Sequence, residues 1–166
     1  MEHWRKSFNP NYIGAYAFQP GEEKVVTIKT TENEEVTNQD GKKEQCLVAH
    51  FKESEKPLIL NVTNCKAIEK LSGTPDRLQW PGVGLILCVQ KVKAFGELVE
   101  AVRIRPVQPF KCENCRGYIH GYGGKTHAEI RDYTRKNYGK QLCADCAQKE
   151  KEAKGNGHSN TLNDKV

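Results

Sequence analysis

The sequence has no long hydrophobic run. Its longest uninterrupted apolar stretch, residues 83–89, has seven residues including Gly84, whereas a helix that spans a bilayer needs about 20. The first ten residues, MEHWRKSFNP, also lack the apolar segment of a secretory signal. We therefore expect no membrane contact and a cytoplasmic protein, in whose reducing surroundings cysteines bind metals more often than they form disulfides.

Size and charge narrow the class further. At 166 residues the chain is too short for a large catalytic fold and fits one domain of about 100 residues with a small appendage. Basic residues exceed acidic ones by only 26 to 21, which taken alone is weak support for a polyanionic partner. The excess is local, because residues 111–154 carry ten basic and six acidic side chains.

Hydrophobic patterning predicts five strands and one helix in the first two thirds of the chain. The strands are predicted at 24–30, 45–51, 58–62, 83–93 and 97–105. The polar stretch 31–44 is predicted to be a loop that turns at Asp40. Apolar residues at helical spacing over 65–71, followed by Gly73, predict a helix between the third and fourth strands. The predicted order is β-β-β-α-β-β.

The last two strands can be given a register, because cross-strand partners point to the same face. A loop of even length gives three compatible pairs, namely Val89 with Val102, Leu87 with Ile104 and Lys91 with Glu100. A loop of odd length would instead place Leu87 opposite Arg103. The even register leaves Arg103 and Arg105 on the second face as a positive strip.

This element order is that of the five-stranded OB barrel, whose usual ligand is single-stranded nucleic acid. We therefore expect a mainly β fold with some α structure, in which residues 1–108 form an OB-like barrel domain with an N-terminal extension. An α+β sheet sandwich is the alternative. Residues 109–150 are expected to form a separate zinc module, and residues 151–166 a disordered polar tail.

The strongest motif is a pair of C-x2-C sequences separated by 27 residues. Four thiolates in two such pairs make a closed tetrahedral zinc site, here Cys112, Cys115, Cys143 and Cys146. Between them Thr126 and Glu129 match a capping box and predict a helix that ends at Gly139. We expect one structural zinc in a module of the zinc-ribbon or treble-clef type, because so short a segment needs a metal to fold. The other three cysteines, Cys46, Cys65 and Cys88, are expected to be small core residues.

Two enzymatic interpretations fit the motifs less well. The sequence His127-Ala-Glu129 followed by Cys143-x2-Cys146 is similar to the zinc deaminase pattern, but Leu142 replaces the proline and the first cysteine pair has no role in it. The second cysteine pair resembles a knuckle of HNH nucleases. Ala147 stands where those enzymes often have a histidine, and no Asp-His pair follows the first knuckle. The sequence therefore predicts a protein without catalytic residues.

A family resemblance rests on the segments FNPNYIGAYAF, LILNVTNCKAIEKL, QWPGVGLIL and VRIRP. They resemble a family of small proteins of bacteriophages and prophages of Gram-positive bacteria, over about residues 8–106. The ending YTRKNYGKQLCADC is similar to zinc-ribbon tails of phage DNA-metabolism proteins. The resemblance implies an accessory role in phage replication or recombination, in the cytoplasm of the bacterial host.

Together these observations predict a protein that binds single-stranded nucleic acid, with single-stranded DNA as the expected partner. The contacting side chains would be basic or aromatic. The candidates are Lys93, Phe95, Arg103, Arg105, Lys111, Arg116, Tyr118, Arg131, Arg135 and Lys136. Because the stretch 31–44 has a net charge of −3, the alternative is a protein adaptor that recruits a phage or host replication or recombination protein through its zinc module. A metal-dependent nuclease using His120 or His127 is the third interpretation.

Overall fold

The structure is a computed structural model that describes residues 11–38 and 40–155. The chain divides into two units, Met1–Pro109 and Phe110–Val166, and each has its own hydrophobic core. The first unit thus ends at Pro109, one residue after the position 108 at which the sequence analysis ends the first domain. Within the described part of the chain, no helix is both long enough and apolar enough to cross a membrane.

The first unit contains five strands and one α-helix in the predicted order. The strands are β1 Glu23–Thr37, β2 Lys43–Phe51, β3 Leu58–Ile59, β4 Gly84–Ala94 and β5 Glu97–Ile104, and helix α1 is Val62–Ser72. They form an antiparallel sheet with the order β3-β2-β1-β4-β5. Two short 3-10 helices, Ala15–Ala17 and Arg77–Gln79, complete the unit.

Strand β1 is shared between the two halves of this sheet. Its first residues, Glu23 to Thr27, pair with β4, and the remainder pairs with β2. The register shifts between Ile28 and Thr30, and a bulge of this kind bends the strand. The side chain of Glu53 accepts hydrogen bonds from both the backbone N–H and the hydroxyl of Thr27 at 2.7 Å, which fixes the bend.

The prediction of a loop over 31–44 is wrong. β1 continues to Thr37 and β2 begins at Lys43, so the two strands form a long hairpin whose turn contains Asp40, as expected. Most residues at the end of this hairpin are exposed, although Val36 is buried, and with so few apolar residues the sequence lacks the alternation that identifies a half-buried strand. A salt bridge of 2.7 Å joins Lys43 and Glu35 across it.

The predicted register of the last hairpin is confirmed. Leu87 pairs with Ile104, Val89 with Val102 and Lys91 with Glu100. The face that carries Leu87, Val102 and Ile104 lies in the core. The turn consists of Phe95 and Gly96, between the paired residues Ala94 and Glu97.

Helix α1 closes one side of the core and contacts the free edge of β5. Asn61 caps the helix by accepting a hydrogen bond from the N–H of Asn64 at 2.9 Å. The Asn64 side chain is 1% exposed, donates to the carbonyl of Val102 at 3.2 Å and accepts from the N–H of Ile104 at 3.3 Å. A side-chain amide thus occupies the position of a sixth strand. Among the described residues no ladder joins β3 to β5, so closure of the sheet into a barrel is not seen.

The second unit contains helices α2, His127–Tyr138, and α3, Ala144–Gly155. The predicted capping box is confirmed, since the Thr126 hydroxyl accepts from the N–H of Glu129 and the Glu129 carboxylate accepts from the N–H of Thr126. Helix α3 extends five residues into the predicted disordered tail. In this extension the Lys154 ammonium lies 5.0 Å from the Tyr138 ring of α2. Residues 156–166 of that tail lie outside the described residues.

Candidate metal centre

The first cysteine pair lies in a tight loop closed by a short antiparallel bridge. Lys111 pairs with Tyr118, and inside this bridge the N–H of Cys112 donates to the carbonyl of Gly117 at 2.8 Å. The N–H of Arg116 donates back to the carbonyl of Cys112 at 3.0 Å. This turn brings Cys112 and Cys115 to the same side of the loop.

The second cysteine pair belongs to the start of helix α3. Cys143 precedes the helix and Cys146 lies in its first turn. The approach to the helix is fixed by the buried hydroxyl of Thr134, which accepts from the N–H of Leu142 at 3.0 Å. Gln141 joins the two pairs, because its carbonyl accepts from the N–H of Glu113 at 3.0 Å.

The four sulfur atoms of Cys112, Cys115, Cys143 and Cys146 lie within 4.8 Å of one another. Cys115 Sγ and Cys143 Sγ are 3.8 Å apart. A tetrahedral zinc ion with Zn–S bonds of about 2.3 Å requires its sulfur ligands to be roughly 3.8 Å apart. The cluster therefore fits a metal ion bound by four thiolates, and zinc is consistent with it.

The acidities of these thiols differ within the cluster. Burial opposes ionisation of Cys112, but backbone N–H groups, including those of Cys115 and Asn114, donate to its sulfur and lower its pKa to about 6. Burial and the neighbouring thiols raise the pKa of Cys146 to about 12, and burial raises that of Cys143. Adjacent thiolates repel one another, so all four ionise together only when a cation offsets their charge.

The surroundings favour a structural metal over a catalytic one. Cys112 and Cys146 are buried with Ile119, Ile130 and Leu142 in the core of the second unit. Four protein ligands fill a tetrahedral coordination sphere and leave no position for a substrate. Among the described residues the cluster contains no histidine; His127 is buried with its ring 5.5 Å from that of Phe110.

The remaining cysteines lie apart from the cluster, in the first unit. Cys88 is buried, and Cys46 and Cys65 are half-buried. Cys65 packs against the hydrophobic core, where burial raises the pKa of its thiol.

The candidate nucleic-acid contacts of the first unit differ in accessibility. Lys93 and Phe95 are exposed on the β4–β5 hairpin. Arg103 is half-buried, and one of its guanidinium N–H groups donates to the carbonyl of Val102 at 3.3 Å. Arg105 forms a salt bridge of 2.5 Å with Glu23. The expected positive strip is therefore partly neutralised by a carboxylate from β1.

The candidates of the second unit divide in the same way. Lys111 lies 5.5 Å from the ring of the half-buried Tyr118. Arg131 stacks on Phe110 at 4.0 Å and forms a salt bridge with Asp132 at 2.6 Å, so it has a structural role. The accessible cations among these candidates are Lys111, Arg116, Arg135 and Lys136.

Three loop residues have properties that the sequence analysis does not identify. Phe95 and Arg116 have positive φ angles of 52° and 64°, a conformation that sequence patterns assign to glycine. Tyr122, which the sequence does not single out, is 70% exposed. The signal that could have identified Tyr122 is the Gly123-Gly124 pair that follows it, because two glycines favour a hairpin turn.

The four-cysteine cluster is thus the feature of this chain with a defined chemistry. Comparisons with protein-family models, with curated proteins and with solved structures give no match. The resemblance to phage proteins stays a prediction.

Proposed function

We propose that this protein binds single-stranded nucleic acid as a non-catalytic accessory factor of phage replication or recombination, with one structural zinc in its second unit. One observation carries the proposal. In residues 11–38 and 40–155, two side-chain-bearing residues adopt a left-handed backbone, and these are Phe95 and Arg116. Both are exposed, and their side chains are the two types that such ligands require, an aromatic ring for bases and a guanidinium for phosphates.

Phe95 is unfavourable for folding in its present position. A left-handed backbone costs a residue with a side chain about 1–2 kcal/mol, and two-residue hairpin turns prefer Asn-Gly or Gly-Gly for this reason. The ring is fully exposed, so no packing compensates for the cost. Strained residues of this kind are concentrated at functional sites. An exposed ring at a hairpin tip is suited to stack on an unpaired base, with Lys93 near enough along the strand to contact the phosphate.

Arg116, in the second unit, is also unfavourable for folding in its present position. The loop of the first cysteine pair needs a left-handed residue at 116, because the N–H of Arg116 donates back to the carbonyl of Cys112. Glycine would adopt this conformation without cost. An exposed arginine supplies instead a cation at the tip of a rigid, metal-supported loop, which is favourable for contact with a polyanion.

The sheet supports the same proposal. The order β3-β2-β1-β4-β5 is that of an OB barrel opened between its third and fifth strands, and OB folds are partly open barrels. The loop between the fourth and fifth strands is one of those through which OB proteins bind oligonucleotides. In this chain that loop contains Phe95.

The β1–β2 part of the sheet is unsuited to binding nucleic acid. A groove of about 630 Å³ between β1, β2 and residues 52–55 is lined by Glu32, Glu34, Glu53 and Glu55, with Lys29 and Lys52. Its net negative charge would repel phosphates. This groove favours the second candidate function, an adaptor that binds a basic segment of a replication or recombination protein.

The two functions are separated by titrating labelled oligo-dT and a duplex of equal length with the protein, followed by fluorescence anisotropy. We expect oligo-dT to bind at least about 10-fold more tightly, because exposed rings stack only on unpaired bases. The affinity should fall steeply as salt is raised, since phosphate contacts release counterions. Absence of binding to either ligand would favour the adaptor.

A second prediction concerns the backbone strain at Phe95 and Arg116. Phe95→Asn and Arg116→Gly should each weaken binding of oligo-dT, by about 5- to 150-fold for the lost ring. Each variant should also be at least as stable as the wild type, with a gain of about 1 kcal/mol for Phe95→Asn. Leu78→Asn, at another exposed apolar residue, is the matched control and should change neither property. Weaker binding together with lower stability would contradict the proposed role of the strain.

A further inference from the structure

The second unit contains a hairpin whose construction is unusually constrained. Tyr122 and Lys125 exchange two backbone hydrogen bonds, of 3.0 and 3.1 Å. The two residues between them, Gly123 and Gly124, have φ angles of +59° and +78°, as a type I′ turn requires. These two hydrogen bonds close the hairpin at its turn.

The arms are also constrained at their base. At Gly121 a Cβ atom would lie 2.6 Å from the carbonyl oxygen of Lys125, so the two arms approach more closely than any other residue allows. Lys125 leads directly into Thr126, the capping residue of α2. Three glycines and a helix cap therefore define the backbone path on either side of Tyr122, although ordering glycine is entropically costly.

The tyrosine in this hairpin is the most exposed of the six in the chain. Tyr12, Tyr16, Tyr118 and Tyr138 are half-buried. Tyr133 is 53% exposed and Tyr122 is 70% exposed. Tyr122 lies outside the core of the second unit, so the hairpin does not serve to pack its ring.

The charges of the hairpin itself suit an anionic ligand, and the nearest carboxylate along the chain is that of Glu129, which accepts from the N–H of Thr126 and interacts with Lys125. Residues 114–128 contain no aspartate or glutamate, and they include Arg116, Lys125 and two histidines. This carboxylate-free segment spans both the knuckle tip and the hairpin. Elsewhere the second unit mixes charges of both signs, as on α2, where Tyr133 follows Asp132.

We propose that Tyr122 is a second base-stacking residue, which binds one unpaired base of a single strand while Lys125 contacts its phosphate. This inference rests on the proposed function and extends it, because it assigns the zinc unit a direct contact with bases. The metal then has an indirect role. It holds the segment between the cysteine pairs in the shape that presents the ring.

The test compares three variants on two probes. The variants are Tyr122→Ala, Tyr122→Phe and, as a matched control in the same unit, Tyr133→Ala. The probes are labelled oligo-dT and an abasic strand of the same length, which keeps the phosphates and lacks the bases. Tyr122→Ala should bind oligo-dT about 5- to 150-fold more weakly and the abasic strand within about twofold of wild type. Tyr122→Phe and Tyr133→Ala should bind both probes as the wild type does.

The failures are distinguishable. If wild type and Phe95→Asn behave as proposed but Tyr122→Ala binds oligo-dT normally, or loses affinity for both probes equally, the stacking role of Tyr122 is overturned alone. If the wild type binds neither strand, the proposed function fails with it. Photocrosslinking of the wild-type protein to an iodouracil-substituted strand gives an answer that does not depend on variants. The crosslinked peptide should contain Tyr122, and crosslinks confined to the first unit would overturn the inference.

Discussion

Cys143→Ser is expected to remove the metal and unfold residues 110–155 while the sheet of the first unit stays folded. The core around the cluster consists of only five buried residues, two of which are themselves ligands. Metal binding contributes about 10–16 kcal/mol in small structural zinc sites, far more than so small a core can supply. The first unit has a separate core and does not depend on the cluster.

Metal analysis of freshly purified protein should give one zinc per chain for the wild type and less than about 0.1 for the variant. Limited proteolysis should then cleave the variant within 110–155 and leave a stable fragment of the first unit. Cys46→Ser, at a half-buried thiol outside the cluster, is the control and should keep its metal. A variant that retains both zinc and protection would show that Cys143 is not a required ligand.

Asn64→Leu is expected to destabilise the first unit by about 2–4 kcal/mol. Leucine shares the branching of asparagine at Cγ, although it is larger, and it can neither accept from the N–H of Ile104 nor donate to the carbonyl of Val102. Both backbone groups would then be buried without a partner, at a cost of about 1–2 kcal/mol each, within the range for an unsatisfied buried group. The loss should lower the melting temperature by roughly 10–25 °C for a unit of this size.

Urea denaturation followed by tryptophan fluorescence measures this loss, because Trp80 is buried in the same core. Thr63→Leu is the matched control, since Thr63 precedes Asn64 in the first turn of α1 but is exposed. It should change the free energy of unfolding by less than about 0.5 kcal/mol. An equally small change for Asn64→Leu would mean that water or a backbone shift satisfies the edge of β5.

The parts of the fold that the sequence predicts are those in which one face is buried. The β4–β5 register follows from the sequence because a shift by one residue would put Leu87 opposite Arg103. The β1–β2 hairpin beyond Thr31 does not follow from the sequence, since most of its residues are polar and, among the described residues, Val36 is the one apolar residue buried near its end. The burial of Asn64 cannot be predicted from sequence patterns either, because it depends on which strand edge helix α1 contacts.

For the candidate site, spacing predicts the ligands but not the contacts around them. Two C-x2-C pairs are sufficient to predict the cluster, because four ligands at that spacing have few other uses. Residue type suggested Tyr118 and Arg131 as nucleic-acid contacts, and strand register suggested Arg105, whereas the structure gives each a partner within its own unit. Strain at Phe95 and Arg116 depends on backbone angles, which no residue count can supply.

The cluster also changes the formal charge of the unit that contains it. A divalent zinc ion with four thiolates carries a net charge of −2, so filling the site lowers the formal excess of residues 111–154 from four positive charges to two. A metal-free chain is accordingly the more basic polymer, and it can attract polyanions through diffuse charge alone. Weak, salt-sensitive retention of metal-depleted protein on a phosphate resin would therefore reflect the net charge of the chain and not specific contacts by Arg116 and Tyr122. Base-dependent binding through Tyr122 is the property that only the metal-bound form should possess, whereas stacking on Phe95 in the first unit does not require the metal.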